Sequence, residues 1–145
     1  MEPTLLQNER LLVNRFVYAK ASFSLFGEQN YLFGGPRRGD VVVFHPPDGS
    51  DTEFVKRIVG MPGDWIDLDG ESVYVNGEKT SYVDVSTARR SDDYPMQVPP
   101  EEYFVLGDNR RVSVDSRNWG TVSRDSLVGR AWAVYWPIQA LKIFG

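Results

Sequence analysis

Cysteine is absent from this chain of 145 residues, and histidine occurs once, as His45. The first absence excludes disulfide frameworks, zinc-thiolate sites and a cysteine nucleophile. The second means that any histidine-based triad must use His45, which stands in Phe44-His45-Pro46-Pro47, where a strand runs into a proline turn. A solvated turn histidine is the expectation there. Long apolar runs are missing as well. Nothing approaches the roughly 20 residues of a membrane span, and Met1 opens onto Glu2-Pro3-Thr4 rather than a charged and then apolar signal segment. The chain as given is expected to be soluble. Positive charge is not in excess: a net charge of -4 and no basic run argue against a nucleic-acid partner. Fixed-period repeats and low-complexity segments are also lacking.

What is present is ordinary globular material, 41% hydrophobic, 13% aromatic and 25% charged. One domain over residues 1–145, with a real core, is the simplest organisation. Short apolar stretches separated by turn signals predict a mainly β fold. Arg10 to Tyr18 alternates loosely, Val41-Val42-Val43-Phe44 reads as a strand buried on both faces, and Trp65 to Leu68 and Val73 to Val75 read as strands, the second followed by an Asn76-Gly77 turn. Tyr103 to Leu106 and Ala131 to Tyr135 continue the series, and Trp132, Tyr135 and Trp136 are expected to alternate into the core. Phe23 to Gly35, rich in aromatics and glycine, reads as a loop or irregular hairpin, and Ser81 to Pro100 as a long surface loop. The only helical hint is a capped turn at Ser123 to Leu127.

Two stretches carry chemistry. In Phe54-Val55-Lys56-Arg57-Ile58-Val59-Gly60 the alternation of a strand puts Lys56 on the face of Phe54 and Ile58, and Arg57 on the face of Val55 and Val59; Gly60 to Asp64 reads as the turn that ends it. An ammonium on an apolar face loses its proton more readily, which makes Lys56 a candidate general base. Holding lysine neutral at pH 7 takes a fall of roughly 3 pH units from ~10.4, about 4 kcal/mol. The other reading is an edge-strand lysine whose head reaches water. The second stretch, Gly107 to Gly120, sets small polar and charged residues directly behind an apolar strand. If it is extended, Ser113, Asp115 and Arg117 share a face, so that Asp115 can pair with Arg117 and the Ser113 hydroxyl can aim a neutral lysine. A solvated loop with an incidental ion pair is the alternative.

Taken together these residues resemble the type I signal peptidases, the membrane-anchored serine-lysine proteases that remove signal peptides from exported proteins. Met1-Glu2-Pro3-Thr4-Leu5, Lys56 to Asp64 and Gly107 to Gly120 carry the likeness in the family's order, and Arg38 to Phe44 resembles the strand before the lysine segment. The resemblance implies antiparallel sheets in a partly open barrel or sandwich, with long loops and little helix. It implies Lys56 as base, Ser113 as the hydroxyl that orients it, Asp115 and Arg117 as a supporting ion pair, and Asp108 and Arg57 as further scaffold. Met1, Leu5, Phe54 and Val55 match positions lining a groove for small residues before the cleavage site, and no metal or cofactor is implied. Arg111 and Val112 depart from the polar residues often found at their positions. In the family the nucleophilic serine stands immediately before the methionine with which this chain begins, so the chain as given is expected to be inactive.

The implied partners are the signal peptides of exported preproteins and a membrane surface met through the early aromatic loop (Phe23, Phe26, Tyr31, Leu32, Phe33). The implied location of the full-length protein is the exported side of a bacterial cytoplasmic or thylakoid-type membrane. A self-cleaving repressor-type serine-lysine protease shares the dyad chemistry, and a catalytically dead β module that binds signal peptides or a membrane partner is the rival from another class. Ala19-Lys20-Ala21 has the Ala-Xaa-Ala form that signal peptidases cut, a pattern common enough to arise by accident.

Overall fold

The computed structural model describes residues 1–6, 8–18, 34–47, 49–69, 72–80 and 94–144. The early aromatic loop, Ala19-Lys20-Ala21 and residues 81–93 of the expected surface loop lie outside them. In chain order the strands are β1 (Arg10–Asn14), β2 (Val41–Phe44), β3 (Phe54–Gly60), β4 (Trp65–Asp69), β5 (Ser72–Val75), β6 (Glu78–Lys79), β7 (Met96–Gln97), β8 (Glu102–Leu106), β9 (Val122–Ser123), β10 (Leu127–Trp136) and β11 (Lys142–Ile143). One short helix, α1 (Ser116–Trp119), stands between β8 and β9.

Among the described residues the strands form two antiparallel sheets and no closed barrel. The larger runs β1-β10-β2-β3-β8-β9, with β11 also on β10; the smaller runs β6-β5-β4-β7. β2 is buried along its whole length, as its unbroken apolar run predicts, because β10 and β3 flank it and core lies on both faces. Phe54 and Ile58 of β3 belong to one core cluster with Phe44 and Val105, whereas Val59 joins Phe104, Ile66 and Val73 under the smaller sheet. Each of the fully buried members, Phe44, Ile58, Val59, Ile66, Val73, Phe104 and Val105, contributes about 1.5–3 kcal/mol, and Phe54, partly buried, less. The chain turns from one sheet to the other at Pro62-Gly63, and Arg38 braces that corner with bonds to Val59 O and Asp64 Oδ2, both 2.8 Å. Asn76 and Gly77 take φ values of 53° and 81°, the two positive angles that a tight hairpin between β5 and β6 requires.

Four expectations need correction. The β1 strand stops at Asn14, whose side-chain oxygen accepts from the amides of Phe16 and Val17 and starts a 3-10 turn over Phe16–Tyr18. Met96 and Gln97, assigned to a surface loop, form β7 against β4, and Val98 beside them is 1% exposed, because the smaller sheet needs an apolar lid at that edge. The last long strand begins at Leu127 and reaches Trp136. On it Ala131, Ala133 and Val134 face the core while Trp132, Tyr135 and Trp136 point outward. The space between β10 and the N-terminal segment takes a methyl group, not an indole.

Candidate active site

Lys56 lies mid-way along β3, half-buried, with β2 hydrogen-bonded along one side of its strand and β8 beginning to pair at Arg57 on the other. Its Nζ is 3.0 Å from Ser113 Oγ and 5.7 Å from the centroid of the Phe54 ring, the residue on its own face. Burial, the largest influence, pulls the Lys56 pKa below the ordinary value; Asp115 and Asp108 oppose this, and Arg117 adds to it. Among the described residues Lys56 makes no ion pair.

Ser113 reaches Lys56 for a reason other than strand alternation. Residues 108–114 form irregular turns, and Asp115 is the N-cap of α1: it accepts from Arg117 N, while Asn118 Oδ1 accepts from Asp115 N, a capping box. Asp115 and Arg117 do pair, with Arg117 Nε 2.8 Å from Oδ1 and Nη2 2.9 Å from Oδ2. Their partnership comes from the first turn of a helix and not from a shared strand face. Arg117 Nη2 also donates to the carbonyls of Arg110 and Ser113, so the loop that presents Ser113 is closed over a buried ion pair. Asp115 is 0% exposed.

Arg57 turns to the opposite side of β3. Its Nε and Nη2 meet Asp108 Oδ1 and Oδ2 at 2.9 and 2.8 Å, and Nη1 donates to Gly39 O at 2.8 Å. A planar fork against a carboxylate satisfies two guanidinium donors at once and fixes their direction. Nη2 also reaches Thr4 Oγ1 at 3.5 Å, tying the N-terminal segment to the sheet.

Beside Lys56 opens a groove of about 620 Å³, lined among others by Met1, Leu5, Phe54, Val55, Gly107 and Ser113. All four residues expected to line a substrate groove are therefore at its wall. Val112 and Val114, on either side of Ser113, line it too and are 76% and 56% exposed. His45 is exposed and outside the groove, as expected of a turn histidine. Ser116 is 1% exposed, and its hydroxyl accepts from Val105 N, which makes it structural.

Sequence reading missed Gly107 and Arg110. A Cβ built on Gly107 would stand 2.0 Å from Ser113 Oγ and 3.5 Å from Lys56 Nζ, so only glycine lets the serine close on the lysine. A glycine directly after the apolar run of β8 was the available signal. Arg110, only 2% exposed, folds its Nε back onto Gly107 O at 3.0 Å; nothing in a polar loop sequence marks it as buried.

A lysine inclined to give up its proton, held by a hydroxyl at the wall of an open groove, is equipped to take a proton from a nucleophile placed beside it. Comparison with known proteins points to the same class. Residues 1–136 match the family model described as signal peptidase, peptidase S26. A probable signal peptidase I-2 of a Synechocystis strain is 37% identical over 148 residues, covering 99% of this chain and 62% of its own length. The signal peptidase I of Leptolyngbya laminosa is 35% identical, with 100% of this chain and 68% of that protein covered. Staphylococcus aureus signal peptidase IB is 34% identical, covering 98% and 76%. A crystal structure of a signal peptidase I from Enterococcus faecalis superposes with a TM-score of 0.55 at 30% identity, over 67% of this chain and 97% of that one. The chain belongs to the signal peptidase family, peptidase S26. It spans 62% of the length of the Synechocystis relative.

Proposed function

We propose that this chain is the catalytic portion of a type I signal peptidase, a serine-lysine endopeptidase that removes signal peptides from exported proteins by cutting after a small residue. The observation that carries the reading is the 3.0 Å contact of Lys56 Nζ with Ser113 Oγ at the wall of a groove that also contains Met1. A serine immediately before Met1 would enter that groove next to Lys56. In this mechanism neutral Lys56 takes the proton of that serine as its oxygen attacks the scissile carbonyl. The protonated lysine then gives the proton to the departing amine, leaving an acyl ester. Lys56 next takes a proton from water, the resulting hydroxide attacks the ester, and the serine recovers its proton from Lys56. Ser113 orients the amine, Asp115 and Arg117 hold Ser113 in place, and Arg57 with Asp108 fixes β3. Met1, Leu5, Phe54 and Val55 receive the small side chains before the scissile bond.

The partners in this reading are signal peptides and, through exposed apolar surface, a lipid bilayer on the exported side of a bacterial cytoplasmic or thylakoid-type membrane. Trp132, Trp136, Ile138, Leu141 and Ile143, 48–71% exposed, support the second partner. No described helix is long and apolar enough to cross a membrane.

The test compares this chain with one carrying Ser directly before Met1, using a peptide with small residues ahead of its scissile bond. Cleavage by the serine-bearing chain that vanishes with Lys56→Ala supports the peptidase. Binding without cleavage by both folded chains instead favours a signal-peptide-binding module.

A further inference from the structure

Arg110 stands one layer behind the base, and both of its ends are committed. Its side chain returns to Gly107 O, while its own carbonyl accepts from Arg117 Nη2 at 2.9 Å. Gly107 is held from the other direction too, because its N–H donates to Asp115 Oδ2 at 3.0 Å. The peptide groups on both sides of Gly107 are thus pinned, one by Asp115 and one by Arg110. Between them lies the single Cα against which the Ser113 side chain rests. A movement of that Cα by a few tenths of an ångström changes the gap in which Ser113 Oγ meets Lys56 Nζ.

We propose that Arg110 is a positioning residue for Lys56: by fixing the carbonyl side of Gly107 it sets the seat of Ser113 and hence the direction and shielding of the lysine amine. This deepens the reading of Lys56 as general base and rests on it. The charged groups acting on Arg110 are Arg117, Asp115, Asp108 and Arg57. A guanidinium taken out of water is a costly way to fill space, since an apolar side chain of similar volume serves packing as well or better. The donor at Nε is what an apolar side chain lacks.

Two substitutions isolate that donor. In Arg110→Gln the side-chain amide nitrogen occupies the same position along the chain as Nε, whereas in Arg110→Met that position is a methyl group; both remove the charge. In the chain bearing Ser before Met1, Arg110→Met is expected to lower kcat about 30-fold with KM within about twofold, and Arg110→Gln to stay within about threefold of the parent in kcat. In the chain as it stands, the Lys56 amine followed by nitrogen NMR against pH is expected to titrate higher in Arg110→Met than in Arg110→Gln, because a loosened Ser113 admits water to the amine. Equal kcat or equal Lys56 titration in the two folded variants, or failure of both to fold, overturns the proposal. If the serine-bearing parent does not cleave, the peptidase reading fails, and the Lys56 titration still decides the role of Arg110.

Discussion

Lys56 and Arg57 are adjacent cations on one strand, and the two sides of β3 treat them in opposite ways. Arg57 receives a carboxylate in fork geometry, a carbonyl and a hydroxyl. Lys56 receives one neutral hydroxyl and the edge of an apolar groove. Both side chains are half-buried, and what differs is the set of groups placed opposite them. The bidentate contact with Asp108 ties Arg57 to the loop after β8 and makes it a beam of the fold. Burial, with no carboxylate in contact, leaves Lys56 inclined to give up its proton. Stability and reactivity are thus assigned to neighbouring residues by what the next strand and loop place opposite them.

The contrast can be broken from either side. The largest effect is expected at Lys56: in the serine-bearing chain, Lys56→Met should lower kcat/KM by roughly 10³-fold or more, because the attacking hydroxyl loses its base. A peptide-cleavage assay decides this, and retention of a tenth of the activity would refute the assignment. Next is Asp108→Ala, which strands Arg57 in a buried place and should cost about 3 kcal/mol of unfolding free energy in a urea titration. A loss under about 1 kcal/mol, the range of a surface ion pair, would show that the Arg57 side of β3 is no beam. Gly107→Ala drives a methyl group into Ser113, and kcat should fall about 100-fold while the melting transition stays cooperative.

The smallest effect concerns stability and pH. Lys56 binds its proton less tightly folded than unfolded, so between its lowered folded pKa and the unfolded value near ~10.4 the unfolded chain carries more protons and stability rises with pH. Lys56→Met should remove that rise and add about 1 kcal/mol at neutral pH, the usual exchange of activity for stability. Over the acid side of its profile, kcat/KM of the serine-bearing chain should climb tenfold per pH unit as Lys56 deprotonates. A flat profile there would mean that Lys56 is not the group whose proton matters.

Much of this was legible in the chain because it is written locally. The lysine stands out on β3 since Phe54, Ile58 and Val59 surround it with apolar positions, and Asn76-Gly77 announces its turn through the two positive φ angles it must adopt. The turn that carries α1 was illegible, because four residues have no period to display. Its helix exists because Asp115 caps it while also reaching Gly107 N across the loop. Trp132 and Trp136 have the alternation of core residues only if large side chains go inward. Here the small partners, Ala131 and Ala133, hold the inner positions, and that choice is made by the segment packed over them. Met96 and Gln97 form only a two-residue strand, and no alternation survives over so short a length.

The reach of Arg57 has a consequence for how the site comes into being. One guanidinium touches Thr4, Gly39 and Asp108, three segments far apart along the chain. The Gly39 contact belongs to the β2–β3 hairpin, whereas those with Thr4 and Asp108 span 53 and 51 residues and need closure of long loops. The groove wall, the lysine strand and the loop that carries Ser113 are therefore joined through contacts distant in sequence. A partly folded chain has the residues of the site without the geometry that brings them together.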